Sequence, residues 1–220
     1  MVAGTNARLR LIRGAADASP GEDRVSRVAH LDDAQLVALV REDDRIAFEA
    51  MYRRHAAFAM NLAVRIQGSA TDVEDVVHDA FLRAHQRLAE LRDAAAFRSW
   101  LGAIVVRLVR SRLRRRRLLN LVGVSAADPV DLDLVASTDA SPEVRALLAQ
   151  VYALLRTLPA DERIAWTLRH VERHRLEDVA ELAGCSLATA KRRIARAQRY
   201  LTEHYVAPYE ARARLTEDAR

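Results

Sequence analysis

One cysteine, Cys185, seven glycines and five prolines are all the structural punctuation that this 220-residue chain carries. A single thiol excludes an intramolecular disulfide and any metal site built on a cysteine pair, and nothing points to an oxidising compartment. Twelve Gly and Pro in 220 residues are about half the usual share. That scarcity excludes turn-dense β-sandwiches, collagen-like repeats and Pro/Gly low-complexity chains. Uncharged runs such as Leu118–Ala127 stop at ten residues, far short of the roughly 20 that a membrane span needs. Arg8, Arg10 and Arg13 lead into no apolar stretch, so no secretory leader is expected and the expected location is cytoplasmic. The sequence also lacks GxGxxG, P-loop, GxSxG and HExxH patterns, so no enzyme is expected. His170 and His174 stand at i, i+4 without a further ligand to complete a set, so neither a metal nor a cofactor is expected.

What is present is helix-forming text. The chain holds 41 alanines, is 50% hydrophobic and is rich in Leu and Arg, a composition of high helix propensity. Net charge is +5, but the average conceals a pattern. Residues 30–91 carry −4, residues 92–119 carry +8, residues 120–143 carry −5 with no base, and residues 144–205 carry +4. Two basic concentrations separated by an acidic stretch suit two contacts with a polyanion.

Residues 1–29 lack periodicity and include Ser19-Pro20-Gly21, which reads as a mobile tail. Order is expected from Leu31, with Asp32 as N-cap, Gln35 as its capping-box partner and Leu31 stapled to Leu36. Phe48, Tyr52, His55, Ala59, Leu62 and Ile66 form one helical stripe that Gly68-Ser69 ends. Thr71 with Glu74 reads as a second capping box, opening a helix to about Leu91. Phe97 opens another to about Leu118. Residues 120–141 are acidic and contain Asp128-Pro129, the mark of a flexible linker. Ser141 caps the next helix with Pro142 at its first position, and Pro159 stops its stripe of Val144, Leu147, Leu148, Val151, Leu155 and Leu158. A helix from about Asp161 to Arg173 follows, then two more around Gly184, then a polar tail over 206–220. The expected fold is all-α: two small helical domains, 30–119 and 142–205, joined by a flexible acidic linker.

Three constellations stand out. In 175–201, Leu176, Val179, Ala180 and Ala183 form one apolar face and Leu187, Ala190, Ile194, Ala197 and Leu201 a second. Between them Gly184 supplies a tight turn and Ser186 an N-cap. That is a helix-turn-helix. Ala188, Thr189, Arg192, Arg196 and Arg199 point away from the buried line, flanked by Lys191 and Arg193, and no acid occurs between Glu181 and Glu203. An Arg-rich outer face suits guanine edges and phosphates in a major groove. A solvated face on an ordinary helical hairpin is the alternative.

Second, Arg107, Arg110, Arg114 and Arg117 share one helical face, reinforced by Arg112, Arg115 and Arg116, with Trp100 upstream. Arginines beside an aromatic suit opened single-stranded DNA. The alternatives are a membrane-surface helix and a charged helix end, and for Trp100 core burial is at least as plausible as stacking. Third, Asp72, Asp75 and Asp79 share a face opposite Val73, Val77, Ala80 and Ala84, either a solvated face or a docking surface for a basic partner.

These parts, in this order, resemble a bacterial RNA polymerase sigma factor, specifically the extracytoplasmic-function (group IV) members of the sigma-70 family. Thr71–Leu88, TDVEDVVHDAFLRAHQRL, resembles the family's polymerase-binding helix, and Phe97–Arg117, FRSWLGAIVVRLVRSRLRRRR, its −10-element helix. Leu158–Leu201 resembles the domain that reads the −35 element. The likeness covers about 30–119 (sigma region 2) and 142–205 (sigma region 4). It implies that Asp72, Glu74, Asp75 and Asp79 dock on the β′ coiled coil of core polymerase, and His78 is counted as a candidate beside them. It further implies that Thr189, Lys191, Arg193 and Arg196 meet the −35 element; on the residue pattern Arg192 and Arg199 join them, and Trp100, Arg107, Arg110, Arg114 and Arg117 are the candidates for the −10 element. Core polymerase and promoter DNA are the implied partners, with an anti-sigma protein as a third that the sequence leaves open. His78 stands where the family usually has Gln, and His85 where an aromatic is usual. Ala103 and Arg107 replace the Arg and Asn common in the −10 helix, and Arg192 replaces a common Ser. Two other classes compete: a helix-turn-helix regulator acting without polymerase, which gives the Arg107–Arg117 stripe no role, and a helical metalloenzyme built on His170 and His174.

Overall fold

The computed structural model describes the backbone of residues 20–121 and 141–205 and the side chains of 24–119 and 141–205. The tail readings for 1–19 and 206–220 and the linker reading for 122–140 lie outside the described residues. Every regular element among the described residues is helical. The first unit comprises α1 (Pro20–Ala29), α2 (Asp33–Arg41), α3 (Arg45–Gln67), α4 (Val73–Gln86), two short 3-10 turns (Leu88–Glu90, Ala94–Ala96) and α5 (Phe97–Leu121). The second comprises α6 (Pro142–Thr157), α7 (Ala160–His170), α8 (Leu176–Leu182) and α9 (Leu187–His204). None of these helices is long and apolar enough to cross a membrane.

The caps explain the boundaries. Asp32 accepts from the Gln35 backbone N–H at 2.8 Å while the Gln35 side chain accepts from the Asp32 N–H at 3.0 Å, the reciprocal pair expected from sequence. Asp44 caps α3 through the N–H groups of Ile46 and Ala47. Gly68, at φ +64°, ends α3 in the left-handed region that glycine enters without penalty. Ser141 accepts from Val144 N–H, with Pro142 at the first helical position. One expected cap is corrected. At the start of α4 the N-cap is Asp72, itself left-handed at φ +58° and making no side-chain cap bond; Thr71 and Glu74 form no capping box. Its carboxylate is drawn to Arg116 instead, at 3.0 Å.

Residues 20–29 correct the tail reading for that segment. A ten-residue helix is marginal alone, but Val28 is buried against the first unit and Arg24 pairs with Asp44 at 2.6 Å. Tertiary packing, invisible to local periodicity, orders α1.

Most of the α3 stripe is buried as expected: His55, Ala59, Leu62 and Ile66 lie inside, while Tyr52 stands at the surface against Phe81, ring centroids 4.6 Å apart. Full burial of each large aliphatic contributes roughly 1.5–3 kcal/mol. His55 is a buried core histidine, its Nε2 3.0 Å from Asp33 and its ring against Phe97, while its Nδ1 has no hydrogen-bond partner.

The two units pack directly on each other. Leu62, Leu101 and Val105 of the first share one buried cluster with Ile164, Leu168, Val179 and Leu182 of the second. A smaller cluster of Tyr152, Leu155, Leu158, Ala197 and Leu201 belongs to the second unit alone. At the seam, the last carbonyls of α3, which have no partner within their own helix, receive donors from the other unit. Tyr152 Oη donates to Arg65 O at 3.1 Å, and the buried Arg163 guanidinium donates to Gln67 O. Burial pushes the Tyr152 phenol up to about 12 and Arg163 down to about 10, so both remain donors at neutral pH. A cation at the negative end of a helix is favourable.

Candidate nucleic-acid interface

The helix-turn-helix forms as its spacing predicts. Gly184 sits at φ +58° with open space where a Cβ would point, and Cys185 N–H donates to Ala180 O at 2.9 Å to close the turn. Ser186 caps α9 by accepting from Thr189 N–H at 3.2 Å. Val179, Ala180 and Ala183 are buried on one side, and Ala190, Ala197 and Leu201 on the other. Leu187, expected inside, is the first residue of α9 and is exposed, because a helical side chain leans toward the N-terminus and there it has passed the packed body. Lys191, Arg192, Arg196 and Arg199 are exposed, and Arg192 reaches Thr189 Oγ1 at 3.3 Å. Arg193 is turned sideways, its guanidinium 2.9 Å from the Asp161 carboxylate of α7, and Arg196 lies 3.8 Å from Glu162.

The arginines of α5 divide by direction. Arg112 donates to Asp72 O at 2.8 Å and lies 3.5 Å from Asp79. Arg110 and Arg114 face the second unit, each 2.9 Å from Asp161, and Arg110 also donates to Ala183 O in the helix-turn-helix. Arg107 donates to the Ala103 carbonyl at 3.0 Å. Burial, with Arg87 and Arg110 close by, lowers its pKa. Arg117 is exposed. Trp100 is half-buried, its ring 6.2 Å from Phe97 and packed against the core.

On α4, Glu74, Asp75 and His78 are exposed, whereas Asp72 and Asp79 lean on the α5 arginines. The acidic face therefore has an open part, Glu74-Asp75-His78, and a part already engaged.

The family model for sigma-70 region 2 matches residues 51–118, and that for sigma-70 region 4 matches residues 148–201. The ECF RNA polymerase sigma factor SigM of Mycobacterium tuberculosis is 32% identical over 166 residues, which cover 76% of this chain and 81% of that protein. The chain belongs to the extracytoplasmic-function sigma factors. The ECF RNA polymerase sigma-E factor of Haemophilus influenzae is 30% identical over 185 residues, covering 81% of this chain and 97% of the relative. Among solved structures, CnrH in complex with the cytosolic domain of CnrY matches at 26% identity and TM-score 0.51, over 78% of this chain and 95% of that one. RpoE from Bartonella quintana, in complex with the anti-sigma factor NepR, matches at 24% identity and TM-score 0.54, over 71% of this chain and 94% of that one, a likeness of fold.

In this sigma factor the region 2 match takes in α4 and all but the last three residues of α5, and the region 4 match takes in α8 and all but the last three residues of α9. His170 stacks on Trp166 at 4.9 Å, and burial, with Arg169 and Arg173 nearby, lowers its pKa. It is a packed side chain on α7. The residue that sequence reasoning passed over is Asp161. An acid in the first turn of a helix is ordinary, and its partners Arg114 and Arg193 lie 47 and 32 positions away. The one sequence signal is weak: Asp161 has Ile164 and Ala165 at i+3 and i+4, so no base on its own helix takes up its charge.

Proposed function

We propose that this chain is the promoter-recognition subunit of a bacterial RNA polymerase, and that it acts by binding and positioning without making or breaking covalent bonds. Asp72, Glu74, Asp75, His78 and Asp79 on α4 form the surface for the β′ coiled coil of core polymerase. Trp100, Arg107, Arg110, Arg114 and Arg117 on α5 receive the −10 element as it opens, with phosphate attraction and stacking combined. Thr189, Lys191, Arg192, Arg193, Arg196 and Arg199 on α9 meet the −35 element as duplex. The working units are residues 30–119 and 142–205, and the site of action is the cytoplasm. Two relatives of known structure are held by CnrY and by the anti-sigma factor NepR; a protein of that kind is the third partner.

One observation carries this reading. An acidic helix, an arginine-rich helix and a helix-turn-helix stand on one chain in the order of the two family matches. A regulator acting without polymerase needs only the last. The test is native-gel binding to core polymerase of the wild type and of Glu74→Arg/Asp75→Arg. Both residues are exposed, so their reversal leaves the fold intact, whereas like charge at a docking surface costs several kcal/mol. Loss of the complex supports the assignment; an unchanged complex returns these acids to a solvated face.

A further inference from the structure

Asp161 holds the cations of both DNA-facing helices at once. Its Oδ1 lies 2.9 Å from Arg110 Nε, and its Oδ2 lies 2.9 Å from Arg114 Nη2 and 2.9 Å from Arg193 Nη2. The side chain is only 20% exposed. The next residue, Glu162, reaches Arg196 at 3.8 Å. A carboxylate facing guanidinium groups from two helices presents them with a negative charge and two acceptor oxygens, as a backbone phosphate does. The surrounding seam keeps it there: Tyr152 and Arg163 cap the end of α3, Arg65 pairs with Glu172 at 2.9 Å, and a Cβ on Gly102 would lie 3.3 Å from Leu182.

We propose that this sigma factor inhibits its own nucleic-acid binding through a closed form in which Asp161 stands in for DNA phosphate. The inference rests on the assignment of Arg110, Arg114 and Arg193 to DNA. In the closed form α5 and α9 turn these cations toward each other's unit, so nucleic acid and Asp161 compete for the same groups. Binding then requires the seam to open, and the apparent affinity is the intrinsic affinity multiplied by the open fraction. Each contact removed from the seam raises the apparent affinity for as long as the closed form dominates.

The test uses the full chain and fluorescence anisotropy with a labelled 30-base-pair duplex of mixed sequence, so that phosphate contact alone is read. Asp161→Ala should bind about tenfold tighter than wild type, the scale of a partly buried ion-pair network. Tyr152→Phe changes no charge and touches no cation of the DNA face, yet removes the bond to Arg65 O; it should bind roughly threefold tighter. Glu203→Ala, an exposed acid on α9, controls for the lost negative charge and should gain less than twofold. Equal gains for Asp161→Ala and Glu203→Ala, with none for Tyr152→Phe, overturn the clasp. If Asp161→Ala fails to fold by circular dichroism, Tyr152→Phe decides alone. A parallel core-polymerase pull-down separates the two claims. Tighter DNA binding by the variants with no polymerase complex for any protein supports the clasp and sinks the sigma-subunit reading; a normal polymerase complex with no gain in DNA binding sinks the clasp only.

Discussion

Gly68→Ala and Gly184→Ala make a matched pair of perturbations, because the two glycines share a backbone conformation and differ in surroundings. Their φ angles are +64° and +58°. Forcing an L-residue into that region costs roughly 1–2 kcal/mol. For Gly184, in the helix-turn-helix turn, that is the whole cost, since nothing lies within 4 Å of an added Cβ. For Gly68 the new Cβ would sit 2.7 Å from Tyr152 Cδ1 and 3.3 Å from an Arg163 nitrogen. Neither neighbour yields easily: Tyr152 is 1% and Arg163 4% exposed, and both donate to carbonyls at the end of α3. Overpacking of this kind adds roughly 1–3 kcal/mol. At this chain length 1 kcal/mol moves Tm by about 2–4 °C, so Gly184→Ala should lower Tm by about 5 °C and Gly68→Ala by about 10 °C. The assay is thermal unfolding followed by circular dichroism at 222 nm, and duplex binding is measured alongside. If the chain relieves the clash by opening the seam, Gly68→Ala gains affinity for DNA as Tyr152→Phe does. Equal losses of Tm with unchanged DNA binding in both variants would refute the description of the seam.

Position along α9 should decide the kind of DNA contact. Arg192, six residues past the Ser186 cap, is assigned to a base edge, and Arg199, two turns further on the same face, to phosphate. In the full chain Arg192→Ala should cost roughly 1–3 kcal/mol on the preferred −35 duplex and relax selectivity at one position; Arg199→Ala should weaken all duplexes alike and lower the salt slope by about one. Equal losses on matched and scrambled duplexes for Arg192→Ala would remove the base-reading role. Burial alone would raise the Asp33 carboxyl, but hydrogen bonds from Arg54 and His55 outweigh it and hold the group below the usual carboxylate range. A depressed folded pKa stabilises above the unfolded value of about 3.9, and the gain is lost as pH falls through the folded value. Wild type should therefore melt above Asp33→Asn at pH 6, with the gap narrowing as pH falls below about 4; a gap that does not narrow there contradicts the assignment.

Apart from the Thr71–Glu74 box, local chemistry was legible in the sequence where a partner lies within one turn. Asp32 with Gln35, Gly68, Ser141 with Pro142, and Ser186 after Gly184 all act as their spacing predicts. So does the outward run of Lys191, Arg192 and Arg199, because a period of 3.6 needs no tertiary knowledge. What was hidden depends on docking. Helix α1 exists through Val28 and the Arg24–Asp44 pair. Asp72 abandons a capping role for Arg116 across the fold. Arg163 is buried, a rare fate for arginine, because carbonyls of α3 await it from 96 positions away. The stripe Arg107, Arg110, Arg114 and Arg117 shares a face in sequence, yet Arg110 and Arg114 are the members that the second unit takes up.

The central claim is that this chain confers promoter choice on RNA polymerase. It is tested most directly by run-off transcription with purified core polymerase on a fragment library, sequencing the 5′ ends of the products. The account predicts transcripts that begin at discrete sites only when the chain is added, downstream of a shared pair of −35 and −10 elements, and that vanish with Glu74→Arg/Asp75→Arg. Transcription that is the same with and without the chain, while the chain still binds duplex DNA, would contradict it and leave a regulator that works without polymerase.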